Sequence, residues 1–303
     1  MTAGEQGERP GLDPAPFGAT GRGPRLLSGG GGPRATVVST ISTLLVLAVL
    51  AAIFLRAPGS SQVRHTFFNV HDMWQSFIGN PKQGYYSVGA AIWLNIRMFL
   101  AAEVLILALA LLIALIRLSG SAVLFPLRVL SMLYVDFFRG VPLLLVIYAI
   151  GFGLPALRLP VVSSQPLAVY GVVALVLSYS AYVSEVYRAG LNSVHRSQVS
   201  AARSLGLSQA TALRHVILPQ AVRNIVPPLL NDFISLQKDT ALVGVLGAIE
   251  ANQAAQIYSS TVFNDSSFTV AAILFLILTI PLARFTDRLI DRDRRRRLAG
   301  ATQ

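Results

Sequence analysis

SAARSLGLSQATALRHVILP, residues Ser200 to Pro219, is a polar, basic island between apolar runs long enough to cross a bilayer. Its own chemistry predicts two short helices joined at a glycine. Ser197 and Ser208 can each cap a helix start, and Gly206 can take the left-handed conformation that ends the first helix. Pro219 then stops the second helix or opens the next one. Ala201 and Ala202 offer a flat surface that another backbone can approach, with Arg203 and Arg214 as fixed positive charge beside it. An ordinary loop with helical propensity would read the same way at the Ala-Ala pair.

The chain has 303 residues, 53% of them hydrophobic and only 13% charged, with a mean hydropathy of +0.60. That is too apolar for a soluble domain and places the chain in a membrane. With no cysteine, thiolate metal sites, disulfides and a cysteine nucleophile are excluded. The net charge of +11 does not call for nucleic acid, because the arginines flank apolar runs instead of forming one patch.

Five nearly uncharged stretches approach the length of a span: Ala35 to Leu55, Met98 to Ile116, Val141 to Leu157, Pro166 to Ser184 and Ser267 to Ala283. A sixth, about Gln220 to Ile249, has the length but carries Arg223, Asp232, Lys238 and Asp239, so hydropathy alone scores it poorly. With six spans the arginines separate by side. The third inner segment holds Arg188, Arg196, Arg203, Arg214 and Arg223 and the C-terminal end seven arginines from Arg284 to Arg297, whereas the outer loops hold Arg56, Arg64 and Lys82, then Arg158 alone, then none from Glu250 to Ser266. The positive-inside rule then puts both termini and the Ser200 island in the cytoplasm.

Residues 1–34 are rich in Gly and Pro without an apolar period and are expected to form a disordered cytoplasmic tail. The apolar run after them is longer than a signal peptide's and is read as a retained anchor. The loop at residues 57–87 contains Phe67, Phe68, Trp74, Phe77, Tyr85 and Tyr86. It suits an aromatic belt at the membrane interface or a segment capping the outer mouth.

Four ordered elements carry a family resemblance that extends from about Trp93 to Leu289. Ser200-Ala201-Ala202, then Gly206, then Val216-Ile217-Leu218-Pro219 follow the spacing EAA-x3-G-x9-I-x-L-P. Phe138 to Pro142 resembles FRGTP, Ala181 to Gly190 resembles AAYLAEIFRGG, and Leu218 to Ala221 with Phe233 to Thr240 resembles LPQA and FISLLKDT. The chain therefore resembles the permease subunits of polar amino acid ABC importers. The resemblance implies an all-α integral membrane protein of six transmembrane helices with the type I importer (MetI-like) fold. Residues 35–56 would be an additional N-terminal span and 88–290 the permease domain. Its coupling loop would be 196–219, and 291–303 a basic cytoplasmic tail. Ser200 stands where the family usually has glutamate, so the implied interface has one charge pair fewer.

The resemblance further implies that Ser200, Ala201, Ala202, Arg203, Gly206, Leu218 and Pro219 couple the chain to an ATPase. The implied partners are a dimer of ATP-binding subunits, a second permease subunit (a copy or a sister) and an extracytoplasmic substrate-binding protein. The implied location is the cell inner membrane. The sequence agrees that ATP is used elsewhere. Its two lysines, Lys82 and Lys238, follow Pro81 and Gln237, so no Walker A motif exists in the chain. No cofactor is expected on this chain, with ATP and magnesium on the partner ATPase.

Charges inside the membrane cost about 2.5 to 3.5 kcal/mol each on insertion scales, so Glu103, Asp232, Lys238 and Asp239 are expected to face protein or water. Asp232 and Asp239 are seven residues apart and share a helical face, as do Asn231 and Lys238. These residues, with Tyr182, Glu185 and Thr240, are the candidates for lining a path for a zwitterion. Lys238 and Asp239 could instead lie at the outer interface or form ion pairs, for instance with Arg97 or Arg139. No metal site is expected, since His65 and His71 do not share a helical face and His195 and His215 sit in the basic loop. Arg294 to Arg297 suit anionic lipid. Two other classes compete: a carrier or channel driven by ion gradients, with the ion site in the charged fifth span, and a membrane scaffold.

Overall fold

The computed structural model describes residues 33–300, and the expected disordered tail through residue 32 lies outside them. The described residues are helical, with no β-strand beyond a single bridge between Asn80 and Tyr85. The chain divides into two compact units, residues 1–60 and 61–303. In the first unit, α1 (Pro33–Arg56) is apolar on every face and carries no acidic residue, which suits a helix solvated by lipid.

The second unit takes in all but the first residue of α2 (Ser60–Phe67) and the whole of α3 (Val70–Ile78), so the loop expected at 57–87 is largely helical. Asn69 caps α3 by accepting from the His71 and Asp72 N–H groups. Both helices are strapped to residues about two hundred positions later. The Asn69 N–H donates to Ser266 Oγ (3.0 Å), Asn264 Nδ2 to the His65 carbonyl (2.9 Å), and Thr269 Oγ1 to the Phe67 carbonyl (2.6 Å). Tyr258 donates to Asp72 Oδ1 and stacks edge-on against buried Tyr85. The aromatic residues thus serve a packed cap as well as an apolar face, where Trp74 and Phe77 line a hollow together with Val270 and Ile273.

α4 (Val88–Leu118) has 31 residues and is roughly 46 Å long at 1.5 Å per residue, more than a hydrocarbon core requires. α5 (Phe125–Gly140) and α6 (Leu143–Ala156) meet at 109°. Pro142 explains the corner. It forces Val141 into extended backbone (φ −96°, ψ 130°) and has no N–H to continue the helix. The span read from the sequence as starting at Val141 is therefore one arm of a bent pair.

α7 (Leu167–Asn192) is the central post, packed against α4, α5, α6 and the later α10 (Leu218–Asp239). Small residues let the helices close: a Cβ on Gly190 would overlap Ile225 of α10. Between α7 and α10 lie α8 (Arg196–Ser204), α9 (Gln209–Ala212) and a π-helical turn, Leu213–Ile217. After α10 the chain tightens into a 3-10 segment, Thr240–Leu246, and turns at Gly247 in the left-handed region. Gly171 and Gly151 leave room for Val243 and Leu246 of that segment. α11 (Ala251–Val262) and α12 (Ser266–Gly300) complete the chain, and α12 continues as helix through residues 291–300, where the sequence places a tail.

Among the described residues, α1, α4, α7 and α12 are long and apolar enough to cross a membrane, with the bent pair as a fifth span. α10 has the length, but its charges and prolines keep it below that apolar threshold, so the structure does not by itself establish six.

Candidate functional site

The Ser200 island folds as two capped helices around a glycine, and its details differ from the expectation at two points. His195, and not Ser197, caps α8: its Nδ1 accepts from the Ser197 N–H at 3.2 Å. Ser208 caps α9 by accepting from the Thr211 N–H. Gly206 has φ +81° and closes α8 in a Schellman motif, its N–H bonding the Arg203 carbonyl (3.0 Å) and that of Leu207 the Ala202 carbonyl (3.2 Å). Arg203 Nη1 donates to the Leu207 carbonyl and ties the turn from outside.

The flat Ala-Ala surface is half present. Ala201 is exposed, whereas Ala202 is buried and packs the island onto itself. Ser200, Arg203, Leu218 and Pro219 are exposed. Pro219 lies in the first turn of α10, so it opens that helix. Leu205 escaped the sequence reading and is the most prominent apolar group of the island, 83% exposed beside Gly206.

The charged residues of α10 divide into two groups. Asp232 and Asp239 do share a face, and with Ser178, Tyr179, Tyr182 and Ser235 they line a hollow of about 240 Å³. Tyr179 donates to Asp239 Oδ2 at 2.6 Å, and Asp232 Oδ2 is buried without a partner. A larger hollow of about 480 Å³ shares Tyr182 and Asp232 and adds Arg139, Glu185, Ser193 and Asn224. Arg139, missed as a lining residue, lies with its guanidinium 5.8 Å from the Tyr182 ring centroid. Tyr182 OH donates to the Arg139 carbonyl at 3.2 Å.

Glu185 belongs to the larger hollow but is also fixed by two cations. It pairs with Arg117 of α4 and receives Nε and Nη2 of Arg188 at 3.0 and 2.6 Å. Glu103 is half-buried on α4 and lines neither hollow. The remaining candidates lie elsewhere: Asn231 and Lys238 are exposed on the other stripe of α10, and Thr240 is fully buried outside both hollows. The ion pairs considered for Asp239 with Arg97 or Arg139 are not formed. The hollows thus present the Arg139 cation and three carboxylates, of which Glu185 is already paired, on a wall of hydroxyls, which suits a small polar molecule carrying both charges.

The sequence pattern of one family, described as the binding-protein-dependent transport system inner membrane component, matches residues 113–296. The chain is 40% identical over 159 residues to the probable glutamine ABC transporter permease protein GlnM of Bacillus subtilis (strain 168), covering 52% of this chain and 72% of that one. It is 38% identical over 190 residues to the probable amino-acid permease protein YxeN of the same organism, covering 62% and 83%. Among solved structures, that of an amino acid ABC transporter with histidines superposes with a TM-score of 0.62 at 30% identity, over 68% of this chain and 93% of that one. The inward-facing methionine transporter MetNI superposes at 0.56 with 19% identity, over 68% and 95%, a likeness of fold alone.

Proposed function

Because the chain belongs to the family of binding-protein-dependent transport system inner membrane components, we propose that it forms the translocation path of an ATP-driven importer for polar amino acids. It is a membrane permease subunit and not the ATPase. The observation that carries the substrate reading is the larger hollow, where Arg139 can meet an α-carboxylate and the unpaired oxygen of Asp232, which also lines the smaller hollow, an α-ammonium. Relatives named for glutamine and for amino acids support the same class.

In this reading an ATPase dimer holding ATP and magnesium grips the 198–217 loop, with Leu205 as an apolar knob and Arg203 and Arg214 as charges around it. Closure of that dimer pushes the loop and rocks the bundle between inward-facing and outward-facing states. A second permease subunit completes the path, and an extracytoplasmic binding protein delivers substrate. Both termini lie in the cytoplasm on the distribution of arginines.

Uptake into vesicles holding this chain, its ATPase and the binding protein, screened across the polar amino acids, tests the proposal. Accumulation is expected with ATP and none without it. Accumulation driven by a sodium or proton gradient in the absence of ATP would overturn the reading and favour the carrier.

Asp239→Asn is expected to lower that uptake at least tenfold with normal membrane insertion. The amide keeps an acceptor for Tyr179 but loses the charge. Full uptake by the variant would remove Asp239 from any essential role.

A further inference from the structure

Outside the two hollows, a buried polar cluster joins four helices around the point where α10 stops. Asn95 of α4, Thr240 and Glu250 are essentially inaccessible, at 1%, 0% and 0% exposure. Asn95 Nδ2 donates to Thr240 Oγ1 (3.1 Å) and to Glu250 Oε2 (3.0 Å), while its Oδ1 accepts from the Ala251 N–H (3.0 Å). Glu250 also accepts from the Asn252 and Gln253 N–H groups, both at 2.8 Å, and so caps α11. Thr240 donates to the Gln237 carbonyl, and the Gln237 side chain accepts from Thr279 of α12 at 2.7 Å.

One amide thus ties the first residue of the 3-10 segment Thr240–Leu246 and the cap of α11 beyond it to α4. The segment is shaped for this: a Cβ on Gly244 would collide with Glu250 Oε1, and Gly151 and Gly171 seat Leu246 and Val243. A buried carboxylate with three donors and an amide with all of these bonds made is costly to disturb, because each lost partner leaves a desolvated polar atom. Asp239, which faces the smaller hollow, is the residue immediately before Thr240. Where the clasp holds Thr240 therefore decides where the Asp239 carboxylate and its Tyr179 partner stand.

We propose that Asn95 and Glu250 are positioning residues of the path: their buried clasp fixes the end of α10 and so the placement of Asp239 in the hollow. This role rests on the reading of the hollows as the path. Neither residue touches substrate, and their effect passes through Thr240.

The absence of cysteine allows a direct test. Ser235→Cys places a single thiol in the smaller hollow, and its modification rate by a water-soluble methanethiosulfonate reagent is measured in native membranes. Asn95→Asp, which sets two carboxylates against each other, is expected to change that rate at least fivefold. In the importer it is expected to raise the half-saturating concentration for uptake at least tenfold. Adding Glu250→Gln lets the amide at 250 donate to the carboxylate at 95 and is expected to restore most of both. Thr240→Val, nearly the same size, removes the bonds to Asn95 and to the Gln237 carbonyl without adding a charge and is expected to shift the rate about threefold, which keeps the test decisive should the charged variant fail to accumulate. Rates unchanged in Asn95→Asp and Thr240→Val, or a shift that Glu250→Gln does not reverse, would overturn the proposal. Wild-type vesicles without ATP-driven uptake would instead sink the reading of the path, since the labelling pattern does not depend on transport.

Discussion

Gly206→Pro should cut ATP-driven uptake by two orders of magnitude or more while the protein inserts and accumulates normally. Gly206 sits at φ +81°, a region closed to proline, whose ring fixes φ near −65°. The substitution also deletes the N–H that bonds the Arg203 carbonyl at 3.0 Å. An incompatible proline costs about 3 kcal/mol or more and a lost hydrogen bond about 1 kcal/mol, so the native turn falls below about one part in a hundred. The spans do not depend on it, because a Cβ at Gly206 meets open space. Gly206→Ala keeps the N–H and meets only the left-handed penalty of roughly 1–2 kcal/mol, so a partial loss is expected. Uptake in reconstituted vesicles, with co-purification of the ATPase, measures both. Arg203→Glu gives the complementary case: the turn survives the loss of one outer bond, while the reversed charge weakens ATPase attachment. Normal uptake and co-purification in Gly206→Pro and Arg203→Glu would remove the loop from coupling.

The second large effect concerns stability. Glu185→Leu leaves Arg117, whose side chain is only 12% exposed, without its carboxylate inside the bundle. Removing one member of such a pair costs about 3 kcal/mol, which should lower the amount of folded protein in the membrane severalfold and its thermal midpoint in detergent by several degrees. Arg117→Leu should do much less harm, because Glu185 keeps the two bonds from Arg188. The double variant Arg117→Leu with Glu185→Leu should recover most of the loss. Arg188 is 39% exposed and can reach water once Glu185 is gone. Equal damage from the two single variants would show that the pair is not what holds α4 to α7.

The parts of the site that were legible in the sequence are those written within a few residues. The helix–glycine–helix island needs only Ser208, Gly206 and Pro219 in order, and the seven-residue spacing of Asp232 and Asp239 was enough to put them on one wall. His195 was passed over as a cap because an imidazole serves only when its unprotonated nitrogen faces the helix start, which depends on rotamer. Ala201 and Ala202 look identical in a string, and only the fold of the island onto α9 and the π turn separates exposed from buried. The clasp was illegible for a different reason. Asn95 and Glu250 are 155 positions apart, and each alone is an unremarked polar residue beside an apolar run. In the sequence the corner at Val141 and Pro142 shows only as a proline at the edge of an apolar run, since hydropathy counts length and not direction.

The strap between α2, α3 and residues 264–269 has a consequence for biosynthesis. Asn69 leaves the ribosome 197 residues before its partner Ser266. At roughly 5–20 residues per second, that is an interval of about 10–40 s. For that time Trp74 and Phe77 lack the α12 residues with which they line an apolar hollow. The newborn chain meets proteases and insertion factors in this half-assembled state, and the last crossing is the one that ends it.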